Sequence, residues 1–264
     1  MIDTSASGGP VSRVVILGAS NISLGWSSLL NVLRQQFAAP LEMYTAHGMG
    51  RSYCGVRSRF LATQLPGILT SQLWQQLPRY RPDDPLPCVL ITDLGNDLVY
   101  GRSPLDVARA AEECIQRLRD WHPRCRIVVS RPPVESVKKV GGFRFLMCRL
   151  FLFPFCPLTL RQAQAATQEL DELVMAMARE QEVDIVKPAP ASYGLDPIHV
   201  KRRCRQDAFR TMLQPWQTER RPGERLLAGP LPQSPRPKQR WVWGRESNSP
   251  QPAAQRGGLS VFAY

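Results

Sequence analysis

The sequence contains no run of 18 uninterrupted apolar residues, so it offers no convincing membrane-spanning helix. It lacks a basic-then-apolar leader: Met1 to Pro10 is polar and acidic, which argues against an ordinary signal peptide. The seven cysteines, an odd number, show no CxxC pair and no Cys/His ligand spacing. This reads as reduced, intracellular thiols rather than a disulfide framework or a zinc site, so a cytoplasmic location is expected. Histidine is scarce, at His47, His122 and His199. No internal repeat is apparent.

What is present suits one sizeable domain. The chain has 264 residues, 43% apolar and 21% charged, close to ordinary globular usage, so a large core is expected. The net charge of +12 is unevenly placed. Residues 1–199 carry 21 basic and 18 acidic side chains, whereas residues 200–264 carry 13 and 4. The body is almost balanced, and any attraction for polyanions belongs to the C-terminal end.

Short apolar runs at 13–17, 40–46, 87–92, 126–130 and 183–186 read as buried strands. Between them, helical spacing appears over 21–37, over 56–77 with an interruption at Pro66-Gly67, over 104–121 with proline in its first turn, and over 160–182. A final helix is expected from His199 to about Gln214. Strands alternating with helices predict a three-layer α/β/α sandwich around a five-stranded parallel sheet, with the ligand site outside the carboxyl ends of the strands.

Two segments break the pattern. Five of the nine phenylalanines fall between Phe143 and Phe155, within an insertion at about 132–160, beside Lys138, Lys139, Arg144 and Arg149. It reads as an acyl pocket, a lid, a patch in weak contact with a membrane surface, or an insertion whose phenylalanines join the core. From about Thr218 the chain has seven prolines and five glycines and no sustained periodicity, so residues 218–264 read as a disordered Pro/Arg-rich tail beyond a domain of residues 1–217. Its Arg220-Arg221, Arg236, Lys238, Arg240 and Trp241-Val242-Trp243 suit an anionic membrane surface or single-stranded nucleic acid, though no specific nucleic-acid partner is expected. Deleting the tail is expected to leave the fold intact.

Four motifs follow strands. Gly18-Ala19-Ser20-Asn21 ends the first, where a serine hydroxyl projects at a strand-to-helix turn or merely caps the helix. Gly48-Met49-Gly50-Arg51-Ser52 follows the second, a tight turn or an exposed amide donor. Leu94-Gly95-Asn96-Asp97 follows the third, where a carboxamide can donate to an oxyanion or form an Asx turn. Asp196-Pro197-Ile198-His199 follows the fifth, and a carboxylate three residues before an imidazole can reach Nδ1 and leave Nε2 to accept a proton. His47 lies near the same rim and is a further candidate, while His122 reads as a surface residue at a helix end. Each motif alone is more simply structural. All four would meet on one edge of a parallel sheet.

In that order and context the motifs resemble the blocks of the SGNH hydrolase family, the GDSL-type esterases and lipases. Gly18-Ala19-Ser20 stands for the GDS block, Gly50 or Gly48 for the second, Gly95-Asn96-Asp97 for the third with one residue fewer than the common form, and Asp196–His199 for the DxxH block. The resemblance covers about residues 13–214 and implies a flavodoxin-like sheet order. It also implies Ser20 as nucleophile, His199 as base, Asp196 as its orienting acid, and the Ser20 amide, Gly50 amide and Asn96 carboxamide as an oxyanion hole. The G-x-S-x-G elbow of the rival α/β-hydrolase fold is absent around Ser20. The activity the resemblance implies is hydrolysis of a small-molecule carboxylic ester or thioester, needing no metal and no organic cofactor, with acyl transfer or a non-catalytic binding module on the same scaffold as alternatives.

Overall fold

The computed structural model describes residues 10–55, 57–79, 81–151, 153–154, 156–216, 226–227 and 229–264. In chain order the elements are β1 (Ser12–Leu17), α1 (Ser20–Leu24), α2 (Trp26–Gln36), β2 (Leu41–Ala46), β3 (Ser58–Phe60), β4 (Thr63–Leu65) and α3 (Leu73–Gln76). They continue as β5 (Cys88–Ile91), α4 (Pro104–Trp121), β6 (Arg126–Ser130), α5 (Val134–Lys138), α6 (Gly142–Phe151), α7 (Leu160–Glu180), β7 (Asp184–Val186) and α8 (Arg205–Met212). Four strands close the chain: β8 (Gln239–Val242), β9 (Arg245–Asn248), β10 (Ala254–Arg256) and β11 (Leu259–Ala263).

All five expected strands form, and they stand in the order β2-β1-β5-β6-β7, all parallel. This is the flavodoxin-like order, which reverses direction between β1 and β5 and opens a crevice at their carboxyl ends. The sheet is larger than expected, with seven strands, because β11 pairs in parallel with β2 and β10 pairs antiparallel with β11.

Side chains alternate across the sheet with period two. Val15 and Leu17 of β1 pack beneath α4 and α7, with Ala111, Leu118, Leu170 and Val174. Val14 and Ile16 face the other layer, with Leu29 and Leu33 of α2 and Phe209 and Met212 of α8. The helices have local causes. Ser103 caps α4 by accepting from the Asp106 amide, with Pro104 at its first position. Thr159 and Gln162 form a reciprocal capping box that starts α7.

Several expectations are corrected. The helix expected over 21–37 is broken at Gly25, where a Cβ would lie 2.5 Å from the Phe209 ring. Of the segment expected to be helical over 56–77, the described residues 57–77 are largely not so: β3 and β4 form an antiparallel pair and α3 is a single turn. Their partner is β8, more than 170 residues away, which local periodicity cannot register. The last helix begins at Arg205 rather than His199. His122 is buried, capping α4 with its backbone amide to the Leu118 carbonyl.

The largest correction concerns the tail. Arg220-Arg221 lies outside the described residues, but residues 229–264 are ordered. Leu259, Val261 and Ala263 of β11 are buried in the central sheet, and β8 and β9 join β3 and β4 in a four-stranded antiparallel sheet. Trp241 is covered by the Arg57 guanidinium, 3.8 Å from the ring centroid, whereas Trp243 is exposed. In the Phe-rich insertion, α6 presents Phe143, Leu146, Leu150 and Phe151 to solvent, while Phe145 and Phe153 line an internal cavity. No helix among the described residues is long and apolar enough to cross a membrane.

Candidate active site

The site begins where β1 stops. Ser20 is the first residue of α1 and is buried at the carboxyl edge of the sheet. Its hydroxyl donates to His199 Nε2 at 2.7 Å. His199 Nδ1 in turn bonds Asp196 Oδ2. The other carboxylate oxygen, Oδ1, accepts the backbone amides of Ile198 at 3.0 Å and His199 at 3.2 Å. Burial pushes the Asp196 carboxyl up, but the His199 hydrogen bond and charge and the two backbone amides outweigh it and hold its pKa below the ordinary value. An ionised Asp196 can only accept, so the His199 proton sits on Nδ1 and Nε2 is the acceptor for the Ser20 hydroxyl.

A second group of bonds ties the turn that carries Ser20 to the loop that carries His199. Asp93, two residues beyond the end of β5, is in the left-handed region, φ 64°, a conformation that aspartate tolerates better than most side chains. Its Oδ2 accepts the Ala19 amide at 2.9 Å and the Asn21 amide at 3.1 Å, and Oδ1 accepts Asn21 Nδ2 at 2.8 Å. Asn21 then reaches across, donating to the Ile198 carbonyl at 3.0 Å and accepting the Val200 amide at 2.9 Å. The backbone on both sides of His199 is therefore tied to the residue next to Ser20. No motif in the sequence singles out Asp93, and Asn21 enters there only as part of the Gly18–Asn21 turn. The available signal was an aspartate between a buried strand and the Gly95-Asn96 turn.

Asn96 is buried and lines one cavity with Ser20, Asp93, Arg131 and Ile198. The cavity encloses about 530 Å³ of empty space, counted to its open mouth. Asn96 Nδ2 is buried and has no hydrogen-bond acceptor in the protein. A buried amide donor left unmade is costly, so its orphaned state in this cavity marks it as a donor for whatever enters.

Asp97 points the other way. Its carboxylate accepts the Ser52 hydroxyl, the Tyr53 amide at 2.8 Å and the Cys54 amide at 3.4 Å, clamping the loop after β2 onto the loop after β5. Burial raises the Asp97 pKa against these bonds. Gly50 takes φ +66° within that loop, and its carbonyl accepts the Tyr100 hydroxyl at 2.7 Å. Neither Gly50 nor Gly48 is among the residues that line the Ser20 cavity.

The remaining candidate, His47, is not part of this arrangement. It is buried, stacked on Trp26 at 5.2 Å and hydrogen-bonded to Thr45 Oγ1 at 2.8 Å and Ser234 Oγ at 3.2 Å. Burial first, then the Arg51 charge, lowers its pKa to about 3. No group of three or more potential ligand side chains that could hold a metal ion occurs among the described residues.

The fold is shared with solved esterases. The native aryl esterase of M. smegmatis is 18% identical with a TM-score of 0.50, the match covering 75% of this chain and 95% of that one. Its inhibitor-bound form is 17% identical with a TM-score of 0.50 over 78% and 98%. Est24, a carbohydrate acetylesterase from Sinorhizobium meliloti, is 15% identical with a TM-score of 0.50 over 75% and 95%. No protein-family model and no curated protein matches the sequence. At these identities the likeness is one of fold: the three-layer α/β sandwich with a parallel-dominated sheet that the SGNH resemblance implied.

Proposed function

We propose that the protein is an SGNH-type serine hydrolase that cleaves carboxylic esters through an acyl-enzyme on Ser20. The observation that carries this reading is the unbroken chain of hydrogen bonds from Ser20 Oγ through His199 to Asp196. The esterase names of the fold's solved neighbours point the same way.

In the proposed reaction Ser20 Oγ attacks the ester carbonyl carbon while His199 Nε2 takes its proton. The carbonyl electron pair moves onto oxygen, where the Ser20 amide and the unpartnered Asn96 Nδ2 donate to it. The Gly50 amide is the third donor that the SGNH resemblance implies. Collapse of the tetrahedral species expels the alkoxide, which receives the proton held on His199. Water then attacks the acyl carbon, losing a proton to His199, and collapse breaks the bond to Ser20 Oγ, which takes that proton back as the acid leaves. Asp196 stays ionised throughout and steadies the imidazolium. The Asp93–Asn21 network holds the two loops in register, so that reaching the transition state needs little rearrangement.

Labelling with a small fluorophosphonate, with the modified residue mapped by mass spectrometry, tests the reading. Covalent modification at Ser20 that weakens in His199→Ala is expected. A folded protein that takes no label at Ser20 would overturn it. Product analysis with added alcohols then separates hydrolysis from acyl transfer.

A further inference from the structure

A second cavity lies beside the first. It spans about 730 Å³ of empty space, open solvent included, between the α5–α6 insertion and α7. Gly95, Val99, Pro132, Pro133 and Ile198 line both cavities. Gly95 directly precedes Asn96, and Ile198 directly precedes His199, so the second cavity abuts the reacting groups rather than a remote surface.

The two spaces differ in chemistry. The Ser20 cavity contains the orphaned donor of Asn96. The second is walled chiefly by Val137, Val140, Phe145, Phe153 and Leu158, with Ala163 of α7 at its side. None of the buried, unpartnered side-chain N or O atoms among the described residues lies on it. Arg149 and Thr167 are the charged and hydroxyl-bearing side chains of its lining, too few for the many hydroxyls of a carbohydrate, whose burial there unpaired is unfavourable. An alkyl chain asks for no hydrogen bonds.

We propose that this cavity holds the alkyl part of the acyl group, which makes the preferred substrates esters of medium- to long-chain fatty acids. The proposal rests on the reading of Ser20 as the nucleophile. The ester carbonyl lies between Ser20 and Asn96, and the chain runs past Val99, Pro133 and Ile198 into the space under α6. Each methylene moved out of water is worth up to about fourfold in kcat/KM.

The test uses p-nitrophenyl acetate, butyrate, octanoate and laurate with the full chain, in wild type, Ala163→Phe and Phe145→Ala. Wild type is expected to favour octanoate over acetate at least tenfold in kcat/KM. Ala163→Phe fills the cavity and should lower that ratio at least tenfold, and Phe145→Ala should move the optimum to a longer chain. Melting temperatures check that each variant is folded. A wild type that prefers acetate, or a chain-length profile that neither variant moves, overturns the proposal. Calorimetric titration of Ser20→Ala with octanoate and with acetate separates this from the hydrolase reading. Saturable octanoate binding that weakens at least tenfold when Ala163→Phe is added supports the cavity even if no ester is turned over. Absence of octanoate binding overturns the cavity assignment while leaving Ser20 labelling to stand or fall alone.

Discussion

Asn96 is the residue whose state is hardest to explain structurally, since its amide is buried in a cavity wall with nothing to donate to. A residue serving only as a turn former would bond its own backbone or reach water. If it serves the proposed oxyanion hole, replacing it by alanine should lower kcat by about 10²–10³-fold, roughly 2.7–4 kcal/mol of barrier, with little change in KM. Steady-state kinetics on the best p-nitrophenyl ester measures this. An equal loss in Ser20 labelling rate places the effect on the acylation step. Removal of a purely structural side chain would instead lower the melting temperature and leave kcat nearly intact.

Among the elements, β11 departs furthest from what local pattern suggests. Leu259-Ser260-Val261-Phe262-Ala263 does alternate, but Gly257-Gly258 precede it, and its sequence neighbour β10 covers only one of its two edges. Its partner at the other edge is β2, joined in parallel over Leu259 to Ala263. Pairing buries Leu259, Val261 and Ala263, and a buried Val or Leu contributes about 1.5–3 kcal/mol. The edge of β2 and Met43 would be uncovered without it. Deletion of residues 239–264 should therefore cost several kcal/mol, a large share of the roughly 5–15 kcal/mol typical of a domain. Urea unfolding of the truncated chain measures the loss. A truncated protein with an unchanged midpoint would show that β11 is dispensable.

For the molecule as a whole, stability should fall on acidification. His47 has its pKa lowered to about 3 by burial and the Arg51 charge, against an ordinary 6.5. Between those values the unfolded chain binds a proton there and the native chain does not, so stability decreases as pH falls through that window. The slope is at most about 1.4 kcal/mol per pH unit for one group. His122, also held neutral chiefly by burial, adds in the same direction. Thermal melts at pH 7 and pH 5 should show a lower Tm at pH 5, and His47→Gln should shrink the difference. A Tm that rises on acidification would contradict the buried neutral imidazole.

The sequence alone determined the five-stranded parallel frame and the places where Ser20, Asn96, Asp196 and His199 stand. Buried parallel strands are short apolar runs, and their carboxyl ends are where an α/β sheet gathers polar residues. Strand contexts and the Asp-x-x-His spacing are local, so they are legible one segment at a time. Tertiary structure decided the rest. Asp93 becomes a link between loops only because Ala19 and Asn21 are brought to it from more than 70 residues away. Residues beyond 218, read as disordered from composition, gain strands because β2 and β4 offer edges to pair with. The apolar cavity exists only because α5, α6 and α7 close around it. Composition and periodicity describe what a segment prefers by itself, whereas these features depend on partners distant in sequence.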